Sequence, residues 1–189
     1  MMTLDFASGT ITGDGAVHGV KRLTDLAPYF EEHSAIANDD KDKIVYETYS
    51  VAEPHPPDVM LSTTVLAPGK VKDEFYMTRG HFHVRTDRGE TCLTLSGSGV
   101  LLLATKDGEW KTEVMEPGSL HCIDGQWAHR AVNVGNQPLV FLVSWVSDCG
   151  HDYDSVSSQG FPVAIVADGE TWRAIARDVH ERDQRHTPL

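Results

Sequence analysis

Thr78-Arg79-Gly80-His81-Phe82-His83-Val84-Arg85-Thr86-Asp87-Arg88-Gly89-Glu90 is the stretch on which the rest of the chain turns. His81 and His83 are separated by one residue. Successive side chains of a strand point to opposite faces, so both imidazoles face the same way. Two imidazoles side by side, followed by a carboxylate, suit a divalent transition metal. Glu90 has the wrong parity for one unbroken strand from His83. Thr86-Asp87-Arg88-Gly89 supplies a break, so Glu90 can open the next strand with its parity reset. Glu90, Cys92 and Thr94 then face one way and Thr91, Leu93 and Leu95 the other. A second segment, Trp127-Ala128-His129-Arg130-Ala131-Val132-Asn133, offers a further histidine whose face is shared with Ala131 and Asn133.

Working outward, the chain of 189 residues suits one compact domain with terminal extensions and can bury a substantial core. Its formal net charge of -12 argues against a nucleic-acid partner, and an anionic substrate needs local donors set against that field. Cys92, Cys122 and Cys149 are odd in number and irregularly spaced, which is not a disulfide framework. No apolar run is long enough to span a membrane and the N-terminus lacks signal-peptide features, so a reduced, cytoplasmic location is the expectation.

From Ile44 the pattern is β. Ile44–Tyr49 and Val59–Leu66 flank a Pro54-His55-Pro56-Pro57 loop. Glu90–Leu95 and Val100–Thr105 flank Ser96-Gly97-Ser98-Gly99, which reads as a hairpin, as does Lys106-Asp107-Gly108-Glu109 before Trp110. Leu120–Ile123, His129–Val134, Leu139–Val146, Pro162–Val166 and Thr171–Ile175 continue the series. Short strands with turns about every eight to twelve residues, and almost no helical periodicity, predict an all-β sandwich or barrel and exclude a parallel α/β sheet. Thr24–Glu32 reads as one short helix with Thr24 as N-cap. His121 reads as a packing residue. His18, His33, His55, His180 and His186 read as solvent positions, and Arg173–Arg185 as a solvated tail.

A lone His-x-His pair arises by chance. The joint pattern of His81, His83, Glu90, Gly97, Gly118, His129 and Asn133 is more specific, and with Gly80 it resembles the two motifs of the cupin superfamily. The His-to-Glu gap is longer than the common one, and Asp124 and Gln126 stand where the second motif usually has Pro and Gly. That longer gap points to one family. Thr78-x-Gly80-His81-x-His83, Glu90, Trp127-Ala128-His129-Arg130-x-x-Asn133, Gly150-His151-Asp152-Tyr153 and the run Pro68–Phe75 resemble the cupin-type glucose-6-phosphate isomerases. The family often has Gly at Lys72, Tyr at Cys92 and Pro-Pro at Asp124-Gly125.

The resemblance implies a single jelly-roll-like cupin barrel at 44–155, preceded by an arm and short helix at 1–43 and followed by strands and a tail at 156–189 that pack on it. It implies interconversion of glucose 6-phosphate and fructose 6-phosphate, through an enediol or a hydride shift, at one divalent metal bound by His81, His83, Glu90 and His129. Iron is the first expectation, with Mn, Ni, Co or Zn as alternatives. Glu90 and His151 are the expected catalytic groups. Tyr46, Thr64, Thr78, Gly80 and Tyr153 are the expected substrate contacts, and a homodimer is expected. A non-haem iron dioxygenase and a non-catalytic sugar-binding cupin are the competing readings, because the same ligands serve the first and the fold alone serves the second.

Overall fold

The computed structural model describes residues 1–52 and 59–177. The Pro54–Pro57 loop, His55, His180, His186 and the tail beyond Arg177 lie outside them. Strands β1 (Thr3–Leu4) and β2 (Ile11–Thr12) form a small antiparallel pair. Then come β3 (Ala16–Arg22), helix α1 (Leu23–Leu26), β4 (Ile44–Val51), β5 (Val59–Leu66), β6 (Lys70–Val71), β7 (Glu74–Phe75) and β8 (Phe82–His83). The central run is β9 (Glu90–Ser96), β10 (Gly99–Ala104), β11 (Trp110–Met115), β12 (Leu120–Ile123), β13 (Ala128–Asn133) and β14 (Leu139–Val146). The chain closes with β15 (His151–Asp152), helix α2 (Tyr153–Gln159), β16 (Val163–Asp168) and β17 (Thr171–Ala176).

The fold is mostly β, and every named strand pair is antiparallel. One sheet of six runs in the order β12-β9-β14-β5-β4-β3, and a second of three in the order β11-β10-β13. Side chains of both that face the space between them, such as Cys92 and Phe141 from the first and Leu101 and Ala131 from the second, belong to one buried cluster. Sequence period explains the difference between them. On β9, buried Glu90, Cys92 and Thr94 alternate with the more accessible Thr91, Leu93 and Leu95, as expected of a sheet with one wet face. On β10 and β13 every residue is buried, and β10 is almost continuously apolar.

Ser96-Gly97-Ser98-Gly99 is not a hairpin. β9 bonds to β12 and β14, and β10 bonds to β11 and β13, so the chain crosses from one sheet to the other at this turn. Gly97 has φ +85, and a Cβ there would run into the Pro138 main chain. The turn signal was correct, but turn chemistry is local and the choice of partner strand is not. Lys106–Glu109 does join paired strands, β10 and β11. Asn133 secures the next crossing: its amide donates to the Leu66 and Gln137 carbonyls at 2.9 Å each, and its oxygen accepts from Gly135 N–H at 2.9 Å.

The helix is shorter than Thr24–Glu32. It starts after Arg22, whose main-chain N–H donates to Asp25 at 2.8 Å, and runs only to Leu26. Pro28 cannot donate to the Thr24 carbonyl, so the chain tightens into a 3-10 turn at Ala27–Tyr29. Arg173 to Ala176 are not solvated tail but part of β17, paired with β16. Arg177 is buried, with an ion pair to Glu74 and a second to Glu31 at 3.2 Å. No helix among the described residues is long and apolar enough to cross a membrane.

Candidate metal centre and its cavity

Backbone pairing lays four imidazoles side by side. His151 on β15 is opposite His83 on β8, and a bridge pairs His81 with His129. His129 N–H donates to the His81 carbonyl at 3.2 Å. That approach requires Gly80, which has φ +73 and whose Cβ would stand 2.9 Å from the His129 carbonyl oxygen. Glu90 opens β9 opposite Trp145 on β14, and its carboxylate lies 3.6 Å from His83 Nε2 and 3.5 Å from His129 Nε2.

Hydrogen bonds at the other ring nitrogens fix the tautomers. His83 Nδ1–H donates to the Arg88 carbonyl at 2.7 Å and His129 Nδ1–H to the Trp127 carbonyl at 3.3 Å. Both rings therefore present the Nε2 lone pair inward. The Nε2 atoms of His81, His83, His129 and His151 are buried without a hydrogen-bond partner. Buried polar atoms are nearly always paired, so this concentration of exceptions requires a missing partner. One donor atom from each of His81, His83, Glu90 and His129 lies within 4.8 Å of the others. Ligands at about 2.0–2.2 Å from a shared ion are at most roughly 4.4 Å apart, so the cluster needs to contract only slightly.

Electrostatics keep His81 and Glu90 in their ligating forms and favour a proton on His83, which a bound cation would displace. Burial pushes the His81 imidazolium down to about 2 and lowers His151 as well, so both rings are neutral. For Glu90 burial opposes ionisation, but His129, His83 and His81 outweigh it and hold the carboxyl well below its usual range. Burial opposes protonation of His83 too, yet Glu90 and the Arg88 carbonyl raise it.

The cluster opens on a cavity of about 160 Å³. A single water needs only about 10–15 Å³ by the same measure, so the space admits a larger ligand. Tyr46, Thr64, Thr78, Gly80, His151 and Tyr153 all line it, as do His81, Glu90 and His129. The Tyr153 ring is 5.2 Å from that of His81. Burial raises the Tyr46 hydroxyl to about 12 and the Cys92 thiol, also in the wall, to about 12, so both are protonated. Thr78 Oγ1 already accepts from Ala131 N–H at 3.1 Å. Asp152, between His151 and Tyr153, instead caps α2 by accepting from Ser155 N–H at 3.0 Å.

Sequence reasoning missed Arg79, Thr48, Ser62 and Trp145, which share the same wall. Period-two counting was the available signal: 48 follows 46 on β4, 62 precedes 64 on β5, and 79 precedes 81. His121 lies elsewhere and is fully partnered, by Glu113 at 2.7 Å and Ser119 at 3.1 Å.

Antiparallel strands presenting three imidazoles and a carboxylate inward, from a His-x-His…Glu motif and a second histidine motif, define a mostly β protein with a candidate metal site. The family model described as Glucose-6-phosphate isomerase (GPI) matches residues 20–182. The glucose-6-phosphate isomerase of Pyrococcus furiosus is 41% identical over 166 residues, 86% of this chain and 87% of that protein. That of Thermococcus litoralis is 39% identical over 178 residues, 93% and 92% of the two chains. The one from Sinorhizobium medicae is 37% identical over 164 residues, 82% and 75%. Among solved structures, the formate complex of Lactobacillus farciminis oxalate decarboxylase superposes with TM-score 0.48 and 17% identity over 57% of this chain, which spans 30% of that one. This chain belongs to the glucose-6-phosphate isomerase family.

Proposed function

We propose that the protein is a metal-dependent aldose–ketose isomerase that interconverts glucose 6-phosphate and fructose 6-phosphate. One observation carries the reading: a single cavity joins the unpartnered three-histidine, one-carboxylate cluster to a wall of Tyr46, Thr64 and Thr78 hydroxyls. The donors fit one divalent metal, which would be held by Nε2 of His81, His83 and His129 and by the Glu90 carboxylate. Iron is the ion proposed first, and Mn, Ni, Co and Zn suit the same donor set. When bound, the metal supplies polarisation of the sugar oxygens.

The chain's own groups do the rest. Thr64, Thr78 and the Gly80 N–H receive the phosphate, with Tyr46 beside them. His151, neutral and unpartnered at Nε2, carries a proton between the sugar hydroxyl and the ring oxygen as the ring opens. Glu90 stays ionised and so remains in the accepting form. It takes the C2 proton of the aldose and returns it to C1, while the proton of the C2 hydroxyl passes to O1. The depressed pKa weakens Glu90 as a base, which makes its substitution the informative one. Leu101, Phe141 and Val143 line the same space and exclude water from it.

Every group in this reading lies between residues 46 and 153, within the site-bearing 44–155 unit, with 1–43 and 156–189 as flanking elements. A homodimer belongs to the same proposal. Leu142, Leu93 and Leu120 lie in one register row on the large sheet, with Leu120 65% exposed and nearby Leu61 38% exposed. Such a face favours a second copy over water. Three free cysteines suit the cytoplasm. The test is turnover of fructose 6-phosphate by the metal-loaded protein in an assay coupled to glucose 6-phosphate oxidation. No turnover together with oxygen consumption would replace the isomerase with an oxygenase. Light scattering that gives the chain's 20.8 kDa would remove the dimer.

A further inference from the structure

Among the described residues that line the cavity, Arg79 is the one arginine or lysine and Glu90 the one carboxylate. The Arg79 guanidinium lies over the Tyr153 ring, 3.7 Å from its centroid. Stacking of this kind holds the planar group by its face and leaves the N–H edge available. Its Nε is buried and has no hydrogen-bond partner. The main chain of the same residue is fixed, because Arg130 Nη2 donates to the Arg79 carbonyl at 2.7 Å. An arginine anchored at its backbone, supported by an aromatic ring and left with an unsatisfied buried donor is arranged for an acceptor that arrives from the cavity. Glu90 does not serve, because three imidazoles already surround it. The chain as a whole carries -12, so a dianion entering the cavity needs a fixed positive charge that the Thr64 and Thr78 hydroxyls do not provide.

We propose that Arg79 is a specificity-determining residue. It binds the phosphate of the substrate through its guanidinium edge, opposite the threonine hydroxyls, and sets the preference for a phosphorylated over an unphosphorylated sugar. Tyr153 is the platform that keeps the guanidinium in place. This rests on the isomerase reading.

The experiment compares metal-loaded wild type, Arg79→Gln and Arg79→Lys. It measures the dissociation constant for inorganic phosphate by calorimetry, KM and kcat for fructose 6-phosphate, turnover of unphosphorylated fructose, and metal content. Arg79→Gln is expected to weaken phosphate binding and raise KM by about tenfold to a hundredfold, with kcat changed far less. Fructose turnover and metal content are expected to hold. Arg79→Lys is expected to fall between the two, since it keeps the charge without the fork. If Arg79→Gln does not fold, Arg79→Lys against wild type decides the matter alone. An unchanged phosphate constant overturns the proposal. So does equal weakening toward fructose and fructose 6-phosphate, or a lysine variant no better than glutamine. If wild type turns over no sugar phosphate, the isomerase reading fails, while the phosphate constants still judge Arg79.

Discussion

His121 and His129 are close in sequence and equally buried, 6% and 7% exposed, yet they are opposites. Both ring nitrogens of His121 are partnered, by Glu113 and Ser119, and Ser119 in turn donates to Thr94 at 2.9 Å. His129 has a partner at Nδ1 and none at Nε2. Burial is therefore not what separates a histidine that holds the fold together from one that waits for a ligand. The separation lies in whether its second nitrogen is satisfied. The His121 cluster stabilises the turn between β11 and β12. The His81–His83–His129 cluster, with its Nε2 atoms buried and unpartnered, costs stability that the proposed metal would restore.

The sharpest way to break this contrast is to truncate one member of each group. His81→Ala and His129→Ala are expected to lose nearly all bound metal and all measurable turnover. His121→Ala is expected to keep both while losing about 1–3 kcal/mol of stability, or a few degrees in Tm. Elemental analysis beside thermal melts reads the two outcomes, and metal loss in His121→Ala would erase the distinction. Saturating metal should also stabilise wild type, by about 2.7 kcal/mol at a hundred times Kd, and leave His81→Ala unmoved.

Glu90→Gln is the next largest effect. It keeps an oxygen donor and removes the basic carboxylate, so activity should fall by roughly 10²-fold or more with much of the metal retained. In deuterated water the wild-type product should carry solvent deuterium. A fully active Glu90→Gln enzyme would confine Glu90 to ligation, and an absence of solvent deuterium would favour the hydride shift. Smaller is the combined Thr64→Val and Thr78→Val change, which should raise KM by about tenfold and lower kcat less. An unchanged KM would take both threonines out of the site.

The smallest effect lies on the satisfied side. The hydrogen bond from His121 lowers the Glu113 pKa, with Lys111 assisting against burial. Because the folded value is below the unfolded one, near about 4.3, the pair contributes stability above that pH and loses it as pH falls through the folded value. Melting curves between about pH 5 and pH 3 should therefore drop less steeply for Glu113→Gln than for wild type. Parallel curves would leave Glu113 without a role in acid stability.

Much of the site was legible because its logic is local. His81 and His83 follow from strand parity, and Glu90 follows from the break before it and the reset it allows. What could not be read locally was pairing across the molecule. Ser96–Gly99 carries hairpin chemistry, but no local signal reveals that its flanking strands bond to different sheets. Arg177 looks like part of a solvated tail until Glu74, a hundred residues upstream, is brought against it. Arg79 lies inside the motif, but its place as the one cationic side chain among the described residues of the cavity wall shows only once the strands that form that wall are brought together. Asp152, within a motif read as pocket, was claimed instead by the N-terminus of α2.

The position of β14 has a consequence for the order in which the protein is made. This strand lies between β5 and β9, and Trp145 on it registers against Glu90. A growing chain that has passed residue 129 contains all four donor residues and β12, which registers Ile123 against Glu90, but it lacks β14, the neighbour of β9 on its other side. Donors held by an incomplete sheet bind an ion weakly, because binding then has to order the backbone too. Capture of the proposed metal is therefore expected to tighten once residues 139–146 insert. Ribosome-stalled chains ending before Leu139 should surrender metal readily to a chelator, and chains extending well past Val146 should hold it.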